Sequence, residues 1–203
     1  MADKILMNKN TLAALKNELK GYRTALPVFE MKEQQLKEVI QSIENAVKRL
    51  EESITQINKE TSEWVGVMAE DGVDLSNMTE PDEIKTSTRE IAGVVIEQLQ
   101  TIKFKQADID FMETPLWTDA AIEVIKDQKT NYFMLSLEQT NLKRVSEELA
   151  EARRMKNALK EVFIPETETN IRKIEIYLGD VERLAIGCAK LVKKKKQVKN
   201  EVL

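Results

Sequence analysis

Three carboxylates in the middle of the chain lie within six residues and could be offered as a metal site: Asp108, Asp110 and Glu113. Hard cations such as Mg²⁺ and Ca²⁺ need about six converging oxygen ligands, usually with a glycine that turns the loop. No glycine lies within this stretch. We therefore interpret the three residues as an exposed strand face and predict no metal site.

The residue inventory excludes most common catalytic chemistry. The 203 residues include no histidine and one cysteine, Cys188, so zinc sites, catalytic triads and disulfides are excluded. A phosphate-binding loop of the type Gly-x-x-x-x-Gly-Lys-Ser/Thr is also absent from the sequence. We expect a protein that is not an enzyme, that binds no nucleotide and that has no cofactor.

Charge and hydropathy constrain the partners. No apolar run approaches 18 residues and the N-terminus lacks the apolar stretch of a signal peptide, so we expect a cytoplasmic protein without direct membrane insertion. The net charge of −4 gives no drive toward nucleic acid. The basic C-terminal tail either meets an acidic or phosphate surface or is simply a solvated helix end. It contains Lys190, Lys193, Lys194, Lys195, Lys196 and Lys199.

The first third of the chain carries a regular pattern of apolar residues that predicts a long helix. Seventeen positions follow at alternating steps of three and four residues, and fifteen are apolar. They are Leu12, Leu15, Leu19, Tyr22, Leu26, Phe29, Glu33, Leu36, Ile40, Ile43, Val47, Leu50, Ile54, Ile57, Thr61, Trp64 and Met68. A 3.5-residue repeat over about eight heptads predicts a coiled-coil helix. We expect it to begin after an Asn8 or Asn10 cap and to end near Asp71.

Residues 71–118 differ from their surroundings, because glycine and proline concentrate there and the heptads stop. The residues Thr79–Glu83 resemble the opening of a short helix. The run from Ile91 to Phe111 is rich in branched and aromatic residues that alternate with charged ones, which predicts a β hairpin. Trp117 has no heptad position and either covers the base of this hairpin or contacts a partner.

A second long helix is predicted from Thr118 to about Lys196. Its apolar positions are Leu142, Val145, Leu149 and Ala152 and, after a phase slip near Pro165, Ile171, Ile174, Leu178, Val181, Ala185, Cys188 and Val192. This pattern predicts that Cys188 is buried and inert.

The connection between the helices is only about fifty residues long, so we expect them to pair antiparallel within one chain, with facing residue numbers that sum to about 190. Pro27 then lies level with Pro165, and a bent or locally unwound zone is predicted there. The predicted fold is mainly α: a long intramolecular antiparallel two-helix coiled coil with a small mixed middle segment. The predicted divisions are an N-terminal helix (1–70), the middle segment (71–118), and a C-terminal helix with its tail (119–203).

The stretch ARRMKNALKEVFIPETETNIRKIEIYLGDVERL carries a specific pattern. Its Asn-Ala-Leu and Ile-Pro pairs and its later Glu-Arg resemble the best-kept segment of the D subunit of rotary V-type and A-type ATPases. The matching residues are Arg154, Asn157, Ala158, Leu159, Ile164, Pro165, Glu182 and Arg183. Near the N-terminus, VFEMKEQQL is similar to that family's first helix, with Lys32 in the place of a recurrent lysine. Glu33, Met155, Lys156 and Lys160 depart from the family pattern.

The resemblance implies a central rotor shaft that transmits torque between an ATP-handling head and an ion-translocating membrane sector. Implied partners are the catalytic and regulatory subunits of the head, the small F subunit of the stalk and a membrane-side socket subunit. The matching residues, together with Lys193 and Lys194, are the candidates for partner contact or shaft integrity. A prefoldin-like coiled-coil chaperone and a structural scaffold are the alternatives.

Overall fold

The computed structural model describes residues 6–66, 75–105 and 115–201, and the chain divides into two compact units. The terminal unit comprises Met1–Met31 and Ala152–Leu203, and the central unit comprises Lys32–Glu151. The predicted fold class is confirmed: most described residues are helical, and one antiparallel hairpin lies in the middle of the chain. No helix in the described ranges is long and apolar enough to cross a membrane.

Helix α1 spans Lys9–Ser62, and its start is the predicted one. The Thr11 backbone N–H donates a hydrogen bond of 2.7 Å to Asn8 Oδ1, as expected of an N-cap. The helix continues through Pro27 without a break. It ends at Ser62, earlier than the sequence predicted, and the predicted end near Asp71 lies outside the described residues.

The middle segment contains helix α2 (Leu75–Met78) and strands β1 (Pro81–Ile91) and β2 (Val94–Phe104). The predicted hairpin exists, but it begins about ten residues earlier than expected. The helix predicted to open at Thr79–Glu83 is wrong: α2 has already ended, and Pro81 is the first residue of β1, a strand position that tolerates proline. The candidate strand residues between Asp108 and Phe111 lie outside the described residues.

A two-residue turn separates the two strands of the hairpin. Ala92 and Gly93 have φ values of 52° and 83°, and two consecutive positive φ angles are what a two-residue type I′ hairpin turn requires. Ile91 pairs with Val94 across the turn. One face of the hairpin packs inward: Val94 and Ile96 are buried.

The second long helix is interrupted once. Helix α3 spans Thr118–Ala158, a π-helical turn spans Leu159–Phe163, and helix α4 spans Ile164–Glu201. A π-helical turn inserts about one extra residue, which shifts the phase of the following helix. This agrees with the local unwinding predicted near Pro165, whereas the unwinding predicted at the level of Pro27 is wrong, because α1 is a continuous helix there.

The predicted core positions are confirmed up to the middle of α4 and are wrong beyond it. Val145, Leu149, Ala152, Ile171 and Ile174 are buried, and Leu142 and Leu178 are half-buried. The later positions of the predicted stripe are all exposed: Val181, Ala185, Cys188 and Val192. Periodicity identified the apolar face correctly, but α1 begins at Lys9 and does not extend far enough to cover this part of α4.

The core of the central unit lies where α1, α3 and the hairpin meet. Leu36 and Val145 are fully buried, and Ile43 and Ile54 are nearly so. Glu33, predicted as a polar interruption of the stripe, is also buried and forms an ion pair of 2.7 Å with Lys37.

Asn141 on α3 binds the backbone of β2 through both ends of its side-chain amide. The Glu97 backbone N–H donates to Asn141 Oδ1 at 3.1 Å, and Asn141 Nδ2 donates to the Glu97 carbonyl oxygen at 2.7 Å. Asn141 is fully buried, and Arg144 pairs with the Glu97 carboxylate at 2.7 Å. The amide thus takes the place of a neighbouring strand and satisfies two backbone groups of β2.

Replacing Asn141 by alanine is expected to lower the free energy of unfolding by about 1–3 kcal/mol, because it removes two hydrogen bonds to part-buried backbone groups of Glu97. Urea unfolding measures the loss, and hydrogen exchange at the Glu97 amide should accelerate. Gln139→Ala, on an exposed position of the same helix, is the control and should change stability by less than about 0.5 kcal/mol. Equal effects of the two variants would contradict the assigned role.

Candidate partner-contact surfaces

One flank of the terminal unit is closed by three ion pairs, which we call the ion-pair ladder: Lys9–Glu182 (3.4 Å), Lys16–Glu175 (2.6 Å) and Arg23–Glu168 (2.7 Å). The bases follow at seven-residue steps along α1, and the acids follow at seven-residue steps back along α4. The numbers of the two paired residues add up to 191 in each case, which agrees with the predicted sum of about 190 in the terminal unit. In the central unit the numbers of Lys32 and Glu148 add up to 180. All six side chains are largely exposed, so each pair contributes only about 0–1 kcal/mol.

Apolar packing holds the same two helices together beside the ladder. The Tyr22 ring stacks on Phe163 with ring centroids 5.6 Å apart, and Ile171 and Ile174 are buried. The Tyr22 hydroxyl donates a hydrogen bond to Glu18 Oε1 at 2.5 Å, and this bond to a carboxylate raises the pKa of Tyr22 above its usual value. The hydroxyl therefore stays protonated at neutral pH.

The predicted site residues around the π-helical turn fall into two groups. Leu159 is buried, and Ala158 and Ile164 are half-buried, so these three contribute to packing within the chain. The others are exposed on the surface of the terminal unit: Arg154, Asn157 and Pro165. The structure thus separates candidates for shaft integrity from candidates for partner contact.

Lys32, in the central unit, is engaged within the chain. Its ammonium group forms a part-buried ion pair and hydrogen bond with Glu148 of α3. The position of a Cβ atom at Gly93 would be 3.9 Å from Lys32 Nζ, so the lysine lies beside the turn of the hairpin. Lys32 therefore joins α1 to α3 and lies beside the turn of the hairpin.

The second half of α4 presents a surface that is both apolar and cationic, which we call the tail surface. Every residue from 181 to 196 is exposed. Glu182 and Arg183 lie at its start, where Glu182 pairs with Lys9 and Arg183 with Asp180 at 3.5 Å. Its exposed large apolar residues are Val181, Leu184, Ile186, Leu191 and Val192, and Lys193 and Lys194 follow them. Exposed large apolar side chains beside a group of lysines make this surface a candidate for partner contact.

Cys188 belongs to the tail surface, so its predicted burial is wrong.

The base of the hairpin carries a separate set of charges. Lys105 pairs with Glu80, and Lys103 pairs with Glu83 at 2.8 Å. Hydrogen bonds from these lysines hold the pKa values of Glu80 and Glu83 below the usual carboxyl range, and Glu80 in turn raises the pKa of Lys105. Nearby, the Lys129 ammonium donates to the Thr79 carbonyl and hydroxyl oxygens at 2.9 and 2.8 Å.

Trp117 is half-buried beside the start of α3, with its indole N–H enclosed. Within residues 6–66, 75–105 and 115–201, no three Cys, Asp or Glu side chains converge as metal ligands would. The carboxylate group of Asp108, Asp110 and Glu113 lies outside these ranges.

The terminal unit contains two antiparallel helices joined by the ion-pair ladder, and its tail surface is uncovered. The central unit contains a hairpin fixed on helices. These features define a coiled-coil protein whose surfaces are suited to binding other proteins. The sequence profile of the ATP synthase D-subunit family matches residues 11–194. The V-type ATP synthase D subunit of Borreliella burgdorferi is 31% identical over 192 residues, which cover 94% of each chain. That of Chlamydia trachomatis is 26% identical and covers 99% of this chain and 100% of its own length.

The chain therefore belongs to the ATP synthase D-subunit family, as its sequence pattern suggested.

The ion-pair ladder predicts a measurable coupling between its partners. Lys16→Glu should destabilise the chain, because it places two carboxylates together, and the double variant with Glu175→Lys should recover the loss. A double-mutant cycle followed by urea unfolding should give a coupling of about 0.2–1 kcal/mol that decreases in high salt. Lys48→Glu combined with Glu175→Lys is the control; Lys48 is exposed in the central unit, and coupling there would contradict the assignment.

The ion pairs at the base of the hairpin predict that the pKa values of two carboxyl groups are lowered. Carboxyl titration by NMR should place the pKa of Glu80 and of Glu83 below the usual 4.5. Because these pKa values are lowered on folding, the stabilisation is complete above pH 4.5 and is lost as the pH falls through the folded-state values. Lys105→Met should return only Glu80 toward 4.5, whereas Lys103→Met should act on Glu83. If either substitution moved both carboxyls equally, the pairing would be wrong.

Proposed function

We propose that this chain is the central-stalk rotor subunit of a V/A-type ATPase, transmitting torque between the ATP-handling head and the ion-translocating membrane sector. The family match over residues 11–194 carries this conclusion. The antiparallel helix pair of the terminal unit agrees with it, because interlocked helices resist twisting. The prefoldin-like and scaffold alternatives have no comparable support from the family match.

In this role the chain is a non-catalytic part of the ATPase, located on the cytoplasmic side and peripheral to the membrane. Nucleotide chemistry belongs to the catalytic and regulatory subunits of the head. An asymmetric shaft that turns within the head contacts its catalytic sites unequally, so each rotation changes which site is favoured.

We assign the head contact to the tail surface and to the exposed first turns of α1. The observation that supports this is the combination of exposed Leu184 and Leu191 with Lys193 and Lys194. Apolar side chains provide affinity when they are buried in a partner, and the lysines favour an acidic rim.

The remaining candidate residues are assigned to the stalk. Arg154, Asn157 and Pro165 are exposed and are proposed as contacts for the small F subunit of the stalk. In functional terms, we assign residues 1–70 and 119–203 to the shaft and propose that the middle segment 71–118 meets the membrane-side socket subunit.

Reconstitution of the ATPase head with and without this chain tests the proposal. A chain that ends at Glu182 should bind the head about a hundredfold or more weakly than the full chain, because two leucines worth about 1.5–3 kcal/mol each are lost. Its addition should also fail to change ATPase activity.

Reversing one charge of the tail surface should weaken head binding less than the truncation does. Lys193→Glu alone should weaken binding by less than about fivefold, as expected for an exposed charge. Lys48→Glu is the matched control and should have no effect. The assignment of the head contact to the tail surface would be overturned if the head bound the truncated and full chains equally, and the rotor assignment would be overturned if the full chain neither bound the head nor changed its ATPase activity.

A further inference from the structure

The tail surface has an apolar face that continues past the start of α1. Helix α1 begins at Lys9, which pairs with Glu182, so the ion-pair ladder ends at that level of α4. Leu184 and Leu191 are 68% and 62% exposed. An apolar repeat with steps of three and four residues is buried by another helix that winds alongside. Four exposed residues of α4 have this spacing: Val181, Leu184, Cys188 and Leu191.

A second copy of the same helix fits this face. Val181 and Cys188 occupy heptad position a, and Leu184 and Leu191 occupy position d. In an antiparallel pair of coiled-coil helices, position a of one helix faces position d of the other. Two antiparallel copies therefore place Val181 against Leu191. They also place Leu184 against Cys188, and the facing residue numbers add up to 372 in both cases.

This register covers all four apolar residues on each copy. A shift of one heptad toward the C-terminus would place Lys195 opposite Leu184. A shift of one heptad the other way would place Leu191 opposite Ile174, which is already buried within the chain. The apolar face thus favours one antiparallel alignment.

The charges beside the face are complementary in the same register. Positions g of two antiparallel helices face each other, and here they are Asp180, Gly187 and Lys194. Asp180 of each copy faces Lys194 of the other, which gives two ion pairs related by symmetry. Both side chains are exposed, and within the chain Asp180 pairs with Arg183 of its own helix at 3.5 Å. A surface that is complementary to itself suits an interface between identical copies.

Small residues lie at the centre of this alignment. Ala185 and Gly187 flank the symmetry axis, and each faces its own counterpart in the second copy. A Cβ atom at Gly187 would meet nothing within 4 Å, so packing within the chain does not require glycine there. Without bulky side chains beside the axis, the two backbones can approach closely.

Helix α1 leaves room for the second copy. The ladder acids Glu175 and Glu182, at position b, and the half-buried Leu178, at position e, lie on the side of α4 that faces α1. Tyr177 and Asp180, at positions d and g, lie on the other side of the apolar face, and both are exposed. The second copy can therefore pass the first turn of α1 without displacing it.

We propose that the tail surface of the free chain pairs with the same surface of a second copy and forms a symmetric antiparallel dimer. Residues 177–195 of the two copies overlap, which is less than a standard protein interface, so the dimer is weak and reversible. It uses residues that are assigned above to head contact, so binding of the head dissociates it. The dimer rests on the terminal unit alone, whereas its dissociation by the head rests on the proposed function.

Sedimentation equilibrium of the full chain tests the dimer. Monomer and dimer should be in equilibrium, with a dissociation constant of about 1–100 µM. The chain that ends at Glu182 should stay monomeric. A full chain that remains monomeric at about 500 µM, or a truncated chain that dimerises equally well, would overturn the proposal.

Charge exchange tests the antiparallel register. Asp180→Lys and Lys194→Glu should each weaken the dimer by about three- to tenfold, because each breaks both symmetry-related pairs and places like charges together. The double variant should recover the original affinity to within about twofold. Lys193→Glu is the matched control at the outward position f and should change the affinity by less than about twofold. A double variant as weak as the single variants would contradict the register.

Disulfide trapping gives an independent readout. Leu184→Cys places a thiol opposite Cys188 of the second copy, and closely packed core positions lie within the reach of a disulfide. Mild oxidation of this variant should produce a covalent dimer on a non-reducing gel. Ile186→Cys, at an exposed outward position, is the control and should yield no more covalent dimer than the natural chain. Equal yields from the two variants would sink the alignment.

The two proposals fail in different ways. If the full chain stays monomeric but binds the head, the dimer inference fails and the rotor assignment stands. If the chain dimerises through its tail surface but neither binds the head nor changes its ATPase activity, the rotor assignment fails and the dimer stands. If both are correct, addition of the head should convert the dimer into complexes that contain one copy of the chain.

Discussion

The structure depends on two helices of opposite direction remaining in phase. Side chains that repeat every 3.5 residues face a partner continuously only if both helices keep the same period and the same register. In the terminal unit the buried positions and the ion-pair ladder obey one register, with basic residues on α1 and acidic residues on α4. The pairs add little energy individually, but a shift by one heptad would leave one ladder residue on each helix without its partner.

The π-helical turn before Pro165 reconciles this requirement with a sequence whose heptads slip. The apolar positions of α3 and α4 belong to two different phases, and five π-helical residues supply the offset between them. Leu159 stays buried through the turn, while Phe163 reaches the Tyr22 ring. The irregular turn is thus part of the packing and is stabilised by it. Proline at 165 suits the position, because the widened turn already lacks regular i→i−4 bonds.

Periodicity made the long helices predictable from sequence, because the apolar positions of a coiled coil repeat at one spacing. The short connection between the helices made their antiparallel direction predictable. Periodicity could not locate β1, whose polar and charged residues are poor evidence for a strand until β2 and the turn at Gly93 pair with it. Nor could it show that Cys188 is uncovered, since a pattern identifies a face and not the reach of the partner helix. For the candidate sites, sequence identified Leu159 and Arg154 together, whereas only the structure separates the buried residue from the exposed one.

The attachment of the hairpin through Asn141 has a consequence for how this region can vary. The amide recognises the main chain of residue 97, which every non-proline residue presents in the same way. The recognition is therefore blind to side-chain identity, so β2 can exchange its outward side chains while its height along α3 stays fixed. A foreign two-stranded insert grafted here would inherit that placement, provided that its backbone arrives with a free N–H and carbonyl at the same level.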